Sequence, residues 1–408
     1  MNTPLPLSGP TSLHIITGLW RHTGGPAETV PALCRGLVNA GSRTSIAVLT
    51  GDMADAVHEA KRAGVSVRTF PATIRHTVWY SRSLQQSLPA LVASHDIIHA
   101  HAMWQAPGWM ACEEALRQGR PFVLSPRGSL LPQRLAKSRL KKRFASLFFD
   151  GRNVRRCALM HATSAEEAES IRMYGYRGPI AVIPNGIDVP EDSTLLHWRT
   201  HADAFRKRFP ETAGKRLLLF LSRIEPIKGV TSLASAWGEL AHRHPDWHLV
   251  IAGPVERNHV QEVTSILASR GVASRTTLAG ALYGEDRERA FASCEAFVLP
   301  TKSENFGMVI GESLARSVPV ITTVGAPWPG LVDHACGWWI PHGEHALTAC
   351  LDEALTTPTS ALQEMGARGR RWMQQDFAWP AACARMQDVY NWIMGCRSQS
   401  PADSVLFD

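Results

Sequence analysis

Short apolar runs alternate with longer stretches of helical periodicity along this chain, and the whole pattern occurs twice. Leu13 to Thr17, Ser45 to Thr50, Val65 to Phe70, Asp96 to His101, Pro121 to Ser125, Ala158 to Thr163 and Ile180 to Ile183 read as strands of a first copy. Leu217 to Leu221, Trp247 to Ala252, Thr276 to Leu278, Phe297 to Pro300 and Pro319 to Thr322 read as strands of a second, after a polar stretch from Asp188 to Gly214. Strands that alternate with helices build parallel sheets covered on both faces. The expectation is an α/β protein of two Rossmann-like domains joined near residue 190. A length of 408 residues agrees, since a single core rarely grows that large.

Cysteine and charge narrow the setting. The eight cysteines are scattered with no close CxxC pair, which points to reduced thiols and a cytoplasmic chain rather than a disulfide framework or a zinc ribbon. The start, MNTPLPLSGP, has neither a basic region nor an apolar one of leader type, and no run reaches the length of a membrane span. The first 190 residues hold 22 Lys and Arg against 12 Asp and Glu, the remainder 21 against 24. Much of the excess lies between Arg134 and Arg156, where nine basic residues meet one acid, Asp150. Leu135, Leu140, Phe144, Leu147 and Phe148 fall near helical spacing there. The segment is either a basic amphipathic helix on an anionic membrane, on its inner face, or a solvated helix face packed by its apolar residues. No aromatic interleaving or reader motif accompanies it, so no nucleic-acid partner is expected.

The densest chemistry sits in Phe297 to Glu312, FVLPTKSENFGMVIGE. An apolar strand ends at Pro300, a polar turn carries Glu304 and Asn305, and a helix begins at Gly307. Open α/β sheets bind ligands outside the carboxyl ends of their strands, and a helix start there suits a phosphate. Arg223 and Lys228 follow another strand in SRIEPIKG, where two cations could neutralise a diphosphate. Carboxylates do not bind diphosphate, so Glu304 and Glu312 are assigned to hydroxyl groups, one on a sugar and one on a ribose. The first domain offers Gly24-Gly25 after its first strand, and His101 at the end of another. His95, His99 and His101 read as metal ligands, as packed histidines or as substrate contacts. The chain contains no DxD, which argues against a mechanism built on a divalent ion, and no metal is expected.

Taken together, these motifs resemble the retaining, GT-B-fold glycosyltransferases of family 4, of the bacterial polysaccharide-assembly type. The likeness rests on Gly24-Gly25, Ser222-Arg223-Ile224 with Lys228-Gly229, Ser303-Glu304-Asn305-Phe306-Gly307 running to Glu312, and Phe377-Ala378-Trp379 before a final helix. His99-Ala100-His101, Ser125-Pro126-Arg127-Gly128 and Pro184-Asn185-Gly186 extend it through the first half. Some relatives carry a histidine where Arg127 stands.

The resemblance implies a GT-B fold, with two Rossmann-like domains facing across a cleft. Residues 1–190 would be the acceptor domain, 191–378 the donor domain, and 379–408 a crossover helix returning to the first domain and a polar tail. Arg223 and Lys228 would bind the donor diphosphate, Glu304 the sugar hydroxyls and Glu312 the ribose. Asn305, Phe306 and Gly307 would hold sugar and phosphate, Gly24 and Gly25 would approach the diphosphate or the acceptor, and His101 would contact the sugar. No cofactor is implied beyond an NDP-sugar donor, UDP- or GDP-linked. The implied reaction is transfer to a saccharide acceptor, lipid-linked, in exopolysaccharide or lipopolysaccharide O-antigen synthesis. An NDP-sugar epimerase or phosphorylase on the same scaffold, and a non-catalytic carbohydrate- or membrane-binding subunit, stay open as alternatives.

Overall fold

The computed structural model describes residues 9–20, 24–75, 78–136, 151–255, 259–401 and 405–406. The chain divides into two compact units, residues 1–186 with 379–408, and residues 187–378. In the first unit the strands are β1 (Ser12–Ile16), β2 (Thr44–Leu49), β3 (Ser66–Phe70), β4 (Ile97–His101), β5 (Phe122–Ser125), β6 (Leu159–Ala162) and β7 (Ile180–Val182). They pair in parallel in the order β7-β6-β5-β4-β1-β2-β3. Every residue of β1, β2, β4, β5 and β6 is buried, as helices on both faces require, and only the edge strand β3 is largely exposed.

The second unit holds β8 (Arg216–Leu221), β9 (Trp247–Ala252), β10 (Thr276–Gly280), β11 (Ala296–Leu299), β12 (Val320–Thr323) and β13 (Gly337–Ile340), all parallel in the order β10-β9-β8-β11-β12-β13. The order reverses beside β8: the chain runs outward to β9 and β10, then returns to the other side of β8 at β11. A reversal of this kind opens a crevice at the carboxyl ends of the two strands. The first sheet has the same reversal between β1 and β4.

The polar stretch 188–214 is more than a separator. It folds into the helices Asp192–Thr200 and Asp203–Arg208 and lies in the second unit, with Leu195 and Phe205 buried. Arg370 anchors its start, donating to the Pro190 carbonyl at 2.5 Å and to Asp192 at 2.8 Å. So few apolar positions per helix leave no legible period in the sequence. Strand β13 and the helix Thr359–Trp372 are likewise elements that the apolar pattern of the sequence does not mark. In the basic segment, helices cover Pro132–Ala136 and Gly151–Arg156, with Val154 buried and Arg152 paired to Glu113 at 3.2 Å. Residues 137–150, where the membrane-facing helix was expected, lie outside the described residues.

The chain leaves the first unit at Gly186 and returns to it at Trp379. A side chain on Gly186 would lie 2.3 Å from the Trp379 indole, so the two passages of chain are packed tightly. From there the helix Trp379–Ile393 buries Ala382, Cys383, Met386, Val389 and Tyr390 against Leu33, Leu37, Ile97, Val123 and Leu159. A last strand, β14 (Val405–Leu406), pairs antiparallel with β7.

Candidate functional site

In the second unit the loops after β8 and β11 meet at the reversal of the sheet. The Ile227 carbonyl accepts from the Lys302 amide at 2.7 Å and from the Thr301 hydroxyl at 3.0 Å, tying one loop to the other. The Glu304 amide donates to the Gly325 carbonyl at 2.7 Å, fixing the second loop to the one after β12. Gly229 has φ 73°, and a Cβ there would sit 2.0 Å from the Pro300 carbonyl oxygen, so only glycine fits. Gly229→Ala is therefore expected to push the two loops apart. It should cost about 1–3 kcal/mol of stability, read as a fall in Tm, together with any activity that depends on Lys228.

These ties place Lys228 Nζ in contact with a Glu304 carboxylate oxygen, both side chains about one-eighth exposed (12%). The contact leaves ligand capacity on both sides, because an ammonium has three protons and a carboxylate about four lone-pair sites. Arg223, on the same loop, pairs with Glu225 at 2.8 Å and is 43% exposed, so its guanidinium is the open edge of the site. Glu312 lies in the helix Met308–Ala315 and pairs with Arg287 of the helix Gly284–Ser293, a partner the sequence reading missed. Nothing in spacing links residues 25 positions apart on separate helices. Arg287 has five donors, and the pair leaves part of the Glu312 carboxylate open to hydroxyl groups.

Gly307 caps the helix Met308–Ala315 with φ 80° and no side-chain cap, leaving its first amides to the solvent or a ligand. The Phe306 carbonyl accepts from the Trp328 indole at 2.5 Å, which holds the turn that carries Asn305. Trp328, stacked beside Phe377 with ring centroids 5.2 Å apart, is a second support that the sequence did not reveal.

In the first unit, Gly24 (φ 78°) caps the helix Gly25–Asn39 without a side-chain cap. A Cβ added to either Gly24 or Gly25 would meet nothing within 4 Å among the described residues. Residues 21–23 lie outside the described residues.

His101 has a different setting from the one expected. It is 2% exposed, and both of its ring nitrogens are engaged. Arg127 can only donate, so the His101 Nδ1 that it approaches at 3.4 Å is an acceptor and the proton sits on Nε2. That Nε2–H donates to His14 Nδ1 at 2.9 Å, and His14 Nε2–H points to Ser12 (3.3 Å) and Tyr390 (3.4 Å). Tyr390 then donates to His99 Nδ1 at 2.7 Å. One guanidinium thus sets the tautomers of three imidazoles and joins them to the returning helix. His14, His99 and His101 are close enough together to hold a metal ion. A dication there would have to break the His14–His101 bond beside a fixed guanidinium, so a hydrogen-bonded core accounts for the cluster better.

Burial, with Arg127 next, holds His14 down to about 3, and the same causes in the same order hold His161 at about 3. His161 is fixed by Ser125 at 2.7 Å and by the Ile183 carbonyl at 2.9 Å. Because the folded pKa is depressed, the unfolded chain binds more protons below the ordinary 6.5. Stability should therefore be full above that pH and fall by about 1.4 kcal/mol per pH unit per histidine toward pH 3. Urea titrations between pH 7.5 and 4.5 check this; a flat profile would mean that these rings are open to water.

Comparison with known proteins agrees with the fold. Residues 24–186 match the family model described as a glycosyl transferase 4-like domain, and residues 202–372 match glycosyl transferases group 1. A D-inositol 3-phosphate glycosyltransferase of Arthrobacter sp. (strain FB24) is 28% identical over 57% of this chain and 55% of its own length. The chain thus spans about half the length of the first curated relatives it matches. A GDP-mannose-dependent alpha-(1-6)-phosphatidylinositol monomannoside mannosyltransferase of Mycobacterium tuberculosis is 26% identical over 82% of this chain and 86% of its own length. The Anabaena HepE structure in complex with UDP-glucose superposes with a TM-score of 0.73 at 16% identity, covering 95% of this chain and 100% of that one. With glycosyl transferase models matching residues 24–186 and 202–372, and a fold that superposes over nearly its full length, the chain belongs to the GT-B-fold glycosyltransferases related to family 4.

Proposed function

We propose that this chain is a retaining glycosyltransferase that moves a hexosyl or related group from a UDP- or GDP-sugar to a saccharide acceptor. The observation that carries the reading is the contact of Lys228 with Glu304 at the sheet reversal, with Arg223 on the same loop and Glu312 on the next helix. Arg223 and Lys228 neutralise the donor diphosphate, Glu304 and the Asn305–Gly307 turn hold the sugar, and Glu312 takes the ribose hydroxyls. Gly24 and Gly25 leave backbone room for the diphosphate or the acceptor. His101 shapes the end of β4 beside the acceptor.

The bond between the anomeric carbon and the diphosphate oxygen breaks as the acceptor oxygen attacks the same face through an oxocarbenium-like state. The proton of the acceptor hydroxyl passes to the departing phosphate oxygen. The protein's part is positioning and charge complementarity, greatest where negative charge grows on the leaving group. We assign the acceptor to lipid-linked saccharides of exopolysaccharide or O-antigen assembly, met at the inner membrane surface by a cytoplasmic chain. No helix among the described residues is long and apolar enough to cross a membrane.

Release of UDP or GDP from a panel of nucleotide sugars, without and then with a lipid-linked saccharide, tests the reading. UDP-glucose and GDP-mannose belong in the panel because one similar structure is a complex with UDP-glucose and one similar protein is named as GDP-mannose-dependent. Acceptor-dependent release of one nucleotide is expected. Conversion of the donor without an acceptor would favour an epimerase, and dependence on inorganic phosphate a phosphorylase. The same assay in EDTA should lose little rate; loss restored by Mg²⁺ would refute a metal-free clamp.

A further inference from the structure

Arg127 holds a positive charge that no carboxylate among the described residues pairs with directly. It follows β5 with φ 53°, a left-handed conformation that a side-chain-bearing residue adopts at a cost of about 1–2 kcal/mol. The residue is half-buried, and its hydrogen-bond partners among the described residues are neutral: Asn185 Oδ1 at 2.5 Å and His101 Nδ1 at 3.4 Å. The nearby carboxylate, Glu167, is already taken by the Gly128 amide (2.6 Å) and by the amide and hydroxyl of Thr163 (both 2.8 Å). No carboxylate forms an ion pair with Arg127 among the described residues. The surrounding imidazoles cannot serve as counter-ions, since a histidine is either neutral or positive, and burial holds His14 and His161 in the neutral form. Burial also brings the arginine down to about 10, against an opposing pull from Glu167, so it stays charged in solution near neutrality.

A half-buried cation without a counter-ion, held by a strained backbone, is unfavourable in the free protein and becomes favourable once an anion arrives. We propose that Arg127, with Asn185 beside it, is an anion subsite of the first unit that takes a phosphate group of a substrate. The fork of a guanidinium matches phosphate oxygens in a two-bond geometry; Asn185 takes one N–H of Nη1 and His101 Nδ1 is approached by Nε and Nη2 at 3.4 Å, which leaves two of the five N–H groups for the ligand. Arg127 stands at the carboxyl end of its strand, the end at which parallel sheets of this type bind ligands. Only the source of the phosphate rests on the glycosyltransferase reading. It is either the diphosphate of the donor or a phosphate on the acceptor saccharide.

Calorimetry on the full chain tests this, with inorganic phosphate as the probe and Arg223→Ala/Lys228→Ala as background to silence the other cations. Arg127→Gln should weaken phosphate binding by about tenfold or more, and Arg127→Lys should recover part of it. Unchanged affinity in folded Arg127→Gln would overturn the proposal. Phenylglyoxal labelling of the wild-type chain, mapped by mass, needs no variant. Phosphate should protect Arg127 while leaving Arg117, whose side chain is 65% exposed, at its usual rate; equal labelling of Arg127 with and without phosphate would also overturn it. Protection by UDP but not by glucose 1-phosphate assigns the donor, the reverse assigns the acceptor, and uridine should protect in neither case. Because each readout is binding, a failed donor screen would not be confused with a failed anion site.

Discussion

Replacing Lys228 by alanine is expected to lower turnover by about two to four powers of ten while the chain stays folded. In the proposed transfer the charge matters most as the leaving diphosphate departs, so the loss should fall on kcat more than on KM. Stability should change too, by a smaller amount. Lys228 and Glu304 are each 12% exposed, and removing the cation leaves a mostly buried carboxylate without its partner. Losing a partner in such a pair costs a few kcal/mol, about 1–3 at this partial exposure. A fall in Tm together with a large loss of kcat is the expected pattern. Near-normal kcat in a folded Lys228→Ala chain would remove this residue from the diphosphate clamp and leave the pair a structural one. Arg223→Ala should lose a similar factor in kcat with little change in Tm, because its side chain is 43% exposed and its partner lies two residues away. That contrast separates a charge used in chemistry from one used in folding.

Truncation after Ala378 is expected to abolish the folded state of the first unit. The helix from Trp379 covers one face of its sheet, and five of its residues, Ala382, Cys383, Met386, Val389 and Tyr390, are 1% exposed or less. Burying a large apolar side chain stabilises by about 1.5–3 kcal/mol. Losing Met386, Val389 and Tyr390 and uncovering the residues beneath them therefore removes about 5–10 kcal/mol, comparable to the whole stability of a typical domain. Limited proteolysis of residues 1–378 should show cleavage throughout the first unit while 187–378 resists. A truncated chain with unchanged Tm and protease pattern would refute the claim. Tyr390→Phe is the milder form: it removes the hydroxyl between His99 (2.7 Å) and His14 (3.4 Å) and should cost about 1–3 kcal/mol.

The alternation of apolar runs and helical stretches was enough to read two parallel sheets, because both faces of a parallel strand are buried and its sequence shows it. The same logic fails where burial is sparse. Residues 192–208 hide few large side chains, so two helices looked like a linker. Strand β13 carries two tryptophans and is only half-buried throughout, which gave no clear strand pattern. Near the site, spacing along the chain marked Arg223, Lys228, Glu304 and Glu312 as candidates, since strand ends and helix starts are local features. His14, Arg287 and Trp328 carry no such local mark.

By itself, the sequence determined the fold class, the doubled sheet and the loops at strand ends that carry charge, because these follow from periodicity and from turn residues. Only the tertiary structure decided which groups meet. The reversal of strand order beside β8 brings Lys228 to Glu304 across 76 positions. The parallel register of β1 with β4 sets His14 beside His99, and the returning helix carries Tyr390 to the same cluster across 291 positions. Such pairings depend on sheet order and on where the chain re-enters a unit. Both are set by the summed burial of many side chains rather than by any short stretch of residues.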